Sequence, residues 1–103
     1  MAVTVREING EELERLIAGN KVLVDFYSKT CGPCKMLSYV LKDVAKDVDG
    51  VEIVAVDFDK NKEAVDKYGV DSYPTLIVFN KGKEVIRVKG LQQRPKIMQL
   101  INI

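Results

Sequence analysis

Apolar residues along this chain recur in two rhythms, one of period two and one near 3.6, and the alternation between them predicts the elements. "VTVREI" reads as a first strand. "NGEELERLIAG" carries acids in its first turn, Leu13, Leu16 and Ile17 on one face and Gly19 just behind, which predicts a short helix. "KVLVDFYS" is a near-continuous apolar run, as a strand covered on both faces requires, and Asp25 is its one interruption. Leu37, Val40, Leu41, Val44 and Val48 then recur at helical spacing, predicting an amphipathic helix from Cys34 to about Val48 that ends near Gly50. "VEIVAVDFD" reads as a strand, and Asn61 as the cap of a short helix through Tyr68, closed by Gly69. "TLIVFNKGKEVIRVK" reads as two strands around the turn Asn80-Lys81-Gly82-Lys83. Pro95 can start a last helix with Ile97, Met98 and Ile101 turned inward. Met36, Met98, Tyr39 and Tyr68 fall in these helical patterns and are expected in core or half-buried positions. The order β-α-β-α-β-α-β-β-α predicts an α/β fold, a central mixed sheet with helices on both faces.

Composition narrows the function classes. With 103 residues the chain is expected to be one domain spanning 1–103, with a single core. Sixteen basic and fifteen acidic side chains are interspersed, so no surface for tracking phosphates is suggested and nucleic acid is not an expected partner. "MAVTVREING" has an early charge and no apolar run of signal-peptide type, and no segment has the 18 or more apolar residues of a membrane span. A soluble, cytoplasmic protein is the expectation. In that reducing compartment a cysteine pair is more often redox-active or metal-binding than a structural bridge.

The two cysteines lie in "KTCGPCKM", and three readings compete for them. A structural disulfide would close so short a loop that it contributes only roughly 2 kcal/mol. A zinc site needs four ligands, and the chain has two cysteines and no histidine, so metal would require a dimer sharing four thiolates or recruited carboxylates. The third reading is dithiol chemistry. Pro33 is tolerated in a helix's first turn, which leaves Cys31 just before the helix, facing unpaired N–H groups and the positive end of the dipole. Those groups favour thiolate over thiol, so Cys31 is the expected nucleophile. Cys34, a turn further in, is placed to attack a mixed disulfide on Cys31. Gly32 lets a substrate backbone approach, and Pro33 stiffens the linker between the sulfurs. Asp25, a carboxyl inside an apolar strand, is expected to have its pKa raised by desolvation, giving a group that exchanges a proton near neutral pH.

In "VDFYSKTCGPCKM", "DKYGVDSYPTLIVFNKGKE" and "VKG" the sequence resembles the thioredoxin family over nearly its whole length. The resemblance implies the thioredoxin fold, a central mixed five-stranded sheet flanked by four helices, and reduction of protein disulfides through the Cys31 and Cys34 pair. It implies that Asp25 is the buried carboxylate relaying a proton to or from Cys34, and that Pro74 is a cis-proline facing the disulfide. It places Tyr73, with backbone hydrogen bonds for an extended client segment, and Gly90 beside Pro74 on a client-facing surface shared with Thr30, Gly32 and Pro33. Implied partners are disulfide-containing client proteins and a thioredoxin reductase, with the chain a monomer, no membrane partner, no cofactor and no metal.

The chain departs from the family pattern in ways that bear on partner choice. Thr30 stands where tryptophan usually precedes the first cysteine, and the chain has no tryptophan. Tyr27 stands where a second family aromatic often sits, and Tyr73 is bulkier than the usual isoleucine. Ala55 occupies a position where many members carry a buried lysine, so Asp25 is expected to lack that charge partner. Lys29 and Lys35 flank the motif and are expected to be solvated surface charges. The altered surface motivates an alternative, a thioredoxin-like binding module independent of redox chemistry; an oxidant or isomerase variant is another, and a dimer ligating metal or an iron–sulfur cluster a third.

Overall fold

The computed structural model describes residues 4–103. Nine elements follow in the predicted order: β1 (Val5–Glu7), α1 (Gly10–Gly19), β2 (Lys21–Tyr27), α2 (Gly32–Ala45), β3 (Glu52–Asp57), α3 (Lys62–Lys67), β4 (Thr75–Asn80), β5 (Lys83–Lys89) and α4 (Arg94–Ile101). Val3, the start of the predicted first strand, lies outside the described residues. The five strands form one mixed sheet in the order β1-β3-β2-β4-β5, with β1, β3 and β2 parallel and β4 and β5 antiparallel. This is the thioredoxin fold expected above, a five-stranded mixed sheet with four helices.

Strand periodicity sorts the core into two layers. Val22, Val24 and Phe26 of β2, Val54 and Val56 of β3, and Ile77 and Phe79 of β4 pack against Leu13 and Ile17 of α1 and Val65 of α3. Leu23, Ile53, Leu76 and Val78 point the other way, against Leu37, Leu41 and Val44 of α2 and Ile97, Leu100 and Ile101 of α4. Asp25 follows Leu23 by two residues, so it belongs to the α2 layer. Its cross-strand neighbours are Ala55 of β3 and Leu76 of β4.

Local signals explain most element ends. Asn9 caps α1 in a capping box with Glu12. Lys81 and Gly82 both have positive φ, which gives the β4–β5 turn the twist that joins the strands directly. Four expectations need correction. Helix α2 ends at Ala45 rather than Val48, because its final turn tightens as Lys46 and Asp47 donate to the carbonyls of Asp43 and Val44. Asn61 occupies the cap position of α3 without capping it: its Oδ1 accepts from the Gly10 N–H and its Nδ2 donates to the Asp57 carbonyl, so it ties three elements together. Met36 and Tyr39 are exposed, since the buried stripe of α2 runs through Cys34, Leu37, Leu41 and Val44. In α4 the inward positions are Ile97, Leu100 and Ile101, with Met98 only half-buried. Tyr68 is half-buried as expected, its ring edge-on to Phe79.

Candidate active site

Strand β2 delivers the chain to the end of the sheet, and the loop that follows is built around Ser28. That residue is 2% exposed, and its Oγ donates to Asp59 Oδ2 at 2.8 Å while accepting from the Thr30 N–H at 3.4 Å. Thr30 Oγ1 lies 3.2 Å from the same oxygen, which turns the Thr30 side chain back toward the base of the loop. The Ser28 carbonyl accepts the Cys31 N–H at 3.2 Å. Nothing in the sequence marked Ser28 or Asp59, because the bond joins the end of β2 to the turn after β3. Removing the hydroxyl in Ser28→Ala leaves Asp59 short of a donor and is expected to cost roughly 1–3 kcal/mol in urea unfolding. An unchanged unfolding midpoint would show that the loop holds without it.

Cys31 is the N-cap of α2, with Pro33 in the first turn. The Cys34 N–H points at Cys31 Sγ, 3.1 Å away, so a free amide of the helix start faces the sulfur as the dithiol reading requires. The two cysteines are joined as a disulfide with a Cα separation of 5.2 Å, inside the ordinary bridging range. They differ in access: Cys34 is 3% exposed and Cys31 half-buried, so an incoming group reaches Cys31 first. Gly32 and Pro33 are exposed, and apart from its chain neighbours and the backbone of its own helix no atom lies within 4 Å of where a Gly32 side chain would begin, which leaves the approach open.

Beneath the pair, Asp25 is 2% exposed and its Oδ1 has no hydrogen-bond partner. Burial pushes its carboxyl from 3.8 up to about 7. Across the parallel strands, Glu7, Ala55 and Asp25 stand in one row on one face, so only a methyl group separates the two carboxyl positions. Glu7 instead accepts a hydrogen bond from the Tyr27 phenol. Burial first, and then that carboxylate, hold the phenol well above its ordinary range. A cleft of about 330 Å³ opens here, lined among others by Asp25, Ala55, Leu41 and both cysteines.

The other wall of the site comes from the segment before β4. The Tyr73–Pro74 peptide bond is cis. Gly90 has φ of +87° and donates its N–H to the Pro74 carbonyl at 2.8 Å, so the residue after β5 fixes the proline segment from behind. Arg87 steadies the approach to it by donating to the carbonyls of Tyr68 and Gly69. Tyr73 is 43% exposed, and its ring meets Phe58 edge-on at 5.1 Å. Phe58 escaped sequence reading because its contact is with a residue on another element. The turn that bears it, Asp57 to Asp59, thus touches both walls, Ser28 through Asp59 and Tyr73 through Phe58. Among the described residues no group of three or more acidic, cysteine or histidine side chains is arranged to hold a metal ion.

The comparisons with known proteins agree with this geometry. The thioredoxin family model matches residues 4–103. A thioredoxin of Chlamydia caviae is 43% identical over 98 residues, covering 95% of this chain and 96% of that protein. A thioredoxin of Staphylococcus epidermidis is 36% identical over 101 residues, covering 97% of each. Among solved structures, a mutant thioredoxin from Halobacterium salinarum NRC-1 superposes with a TM-score of 0.90 at 33% identity, covering 99% of this chain and 93% of that one. On that match and on its joined cysteine pair, the chain belongs to the thioredoxin family and acts by thiol–disulfide exchange, as a protein-disulfide reductase.

Proposed function

We propose that Cys31 is the attacking and Cys34 the resolving sulfur in the reduction of client disulfides. The observation that carries this assignment is the asymmetry at the start of α2, where the reachable Cys31 Sγ receives the Cys34 N–H while Cys34 itself is enclosed. In the first step the Cys31 thiolate forms a bond to one client sulfur and the client disulfide breaks, releasing a thiolate. Cys34 then gives its proton to Asp25 and attacks Cys31 Sγ. The intramolecular disulfide forms, and the client leaves with its second sulfur reduced. Asp25 suits the proton transfer because it sits in the same layer as Cys34 and changes charge near pH 7.

In this reading clients dock on Thr30, Gly32, Pro33, Tyr73, cis-Pro74 and Gly90. Tyr73, braced by Phe58, supplies a fixed aromatic surface where the family's usual tryptophan is replaced by Thr30. A thioredoxin reductase returns the electrons, the protein works as a monomer in the cytoplasm, and it needs no cofactor of its own. No helix among the described residues is long and apolar enough to cross a membrane, which is compatible with that location.

The test is the reduction potential of the Cys31–Cys34 couple, titrated against glutathione or dithiothreitol and read by alkylation and mass shift. A value below roughly −220 to −260 mV, the extracted cytosolic glutathione poise, is expected for a reductant. A clearly higher value would make the protein an oxidant or isomerase. A couple that does not cycle would leave only the redox-independent binding role.

A further inference from the structure

Strand β5 carries one residue more than its partner can match. Opposite Val78 of β4 stands Ile86 and opposite Phe79 stands Glu84, so Val85 is the extra residue and is left exposed. In a regular strand Glu84 and Arg87, three positions apart, would point to opposite faces. With the bulge between them both stand on the α3 side of the sheet, Glu84 in the row of Phe79 and Arg87 in the row of Ile77.

That placement lets one guanidinium join two parts of the chain. Its Nε and Nη2 donate to the two carboxylate oxygens of Glu84 at 2.8 and 2.6 Å. Its Nη2 and Nη1 donate to the Tyr68 and Gly69 carbonyls at 2.6 and 3.0 Å, just past the end of α3, where a helix leaves such groups unpaired. The Arg87 side chain is only 25% exposed, and its forked, charge-assisted bonds are stronger than those of a free surface pair. Lys89, on the same face, pairs with Asp71, and the Gly90 N–H holds the Pro74 carbonyl. Strand β5 thus holds both ends of the segment from Tyr68 to Pro74, which has no strand or helix of its own. Asp25 and α2 lie on the opposite face of the sheet, so Arg87 has no route to the cysteines except through that segment.

We propose that Arg87, oriented by Glu84, is a positioning residue for client docking: it fixes the start of this segment so that Tyr73 and Pro74 present one settled edge to an extended client, while the reactivity of the cysteines is set elsewhere. The inference rests on the reading that clients dock on Tyr73 and Pro74. A segment that must be ordered at each encounter weakens binding, and one held in advance does not.

The experiment compares second-order rate constants of the reduced protein with insulin, whose chain must dock, and with dithiobis(nitrobenzoate), which has no peptide to dock. Arg87→Gln is expected to lower the insulin constant by ~10-fold while the small disulfide changes by less than about twofold. Amide exchange at Gly90 should speed by ~10-fold relative to the amides of β2, as its bond to Pro74 loosens. Arg87→Lys keeps the charge without the fork and should fall between parent and Arg87→Gln, carrying the test if the glutamine variant does not fold. Glu84→Gln should act in the same direction and less. An unchanged ratio of the two constants, or an equal fall in both, would overturn the proposal. So would a lower ratio with Gly90 exchange unchanged, since Arg87 would then act on the client directly. Tyr73→Ala separates the two readings. If it lowers the ratio and Arg87→Gln does not, docking at Tyr73 stands and the positioning role falls; if it leaves the ratio unchanged, the docking reading itself falls.

Discussion

With Cys34→Ser, client proteins are expected to accumulate as mixed disulfides on Cys31, and multiple-turnover reduction to fall by about 10³-fold or more, the scale at which losing a positioned intramolecular nucleophile is felt. The substitution removes the resolving sulfur but leaves the backbone amide that faces Cys31 Sγ, so the first attack survives. A serine hydroxyl does not attack a disulfide at neutral pH, so without an added small thiol the mixed disulfide on Cys31 persists. Non-reducing electrophoresis and mass spectrometry with insulin as client would read the adduct. Cys31→Ser should trap nothing, because Cys34 is out of reach. Adducts on Cys34 in the Cys31→Ser protein, with none on Cys31 in Cys34→Ser, would reverse the two roles.

Asp25 should dominate the pH dependence of stability in the oxidised protein. Its carboxyl titrates at about 7 in the fold against an ordinary 3.8, and burial is the cause. Below pH 4 both the folded and the unfolded chain hold the proton, and the stability associated with this group is fully present. As pH rises toward 7 the unfolded chain releases its proton first, so stability falls by about 1.4 kcal/mol per pH unit. Above pH 7 the loss levels off near a total of about 4 kcal/mol. Asp25→Asn cannot ionise. The difference in unfolding free energy between Asp25→Asn and the parent should therefore shift by about 4 kcal/mol in favour of the variant between pH 4 and pH 8. Urea unfolding at several pH values checks this, since the difference cancels every other titrating group. A flat difference would mean that Asp25 finds a compensating partner in solution.

The expectations that held were carried by local signals. The apolar run of β2 announced a strand buried on both faces, and the same run made Asp25 conspicuous, because a carboxyl between Val24 and Phe26 must be desolvated wherever the strand sits. Pro33 and the leucine spacing announced α2 and put Cys31 at its start. What failed were choices of phase and partner. Val48 continued the helical spacing but not the helix. Met36 and Tyr39 fell on the far side of a stripe whose position depends on where the sheet lies. Asn61 looked like a cap, yet its side chain serves Gly10 and Asp57 instead.

By itself, the sequence determined the order of the elements, the dithiol at a helix start and the buried acid near it, since each depends on residues within a few positions of one another. The tertiary structure decided how those parts meet. Register between β1, β3 and β2 set Ala55 between Glu7 and Asp25 and opened the cleft beneath the disulfide. The turn after β3 brought Asp59 to Ser28 and Phe58 to Tyr73, and the end of β5 brought Gly90 to Pro74. These contacts join residues far apart in the chain, and a strand shifted by one residue would turn every one of its side chains to the opposite face, so only the assembled sheet fixes them.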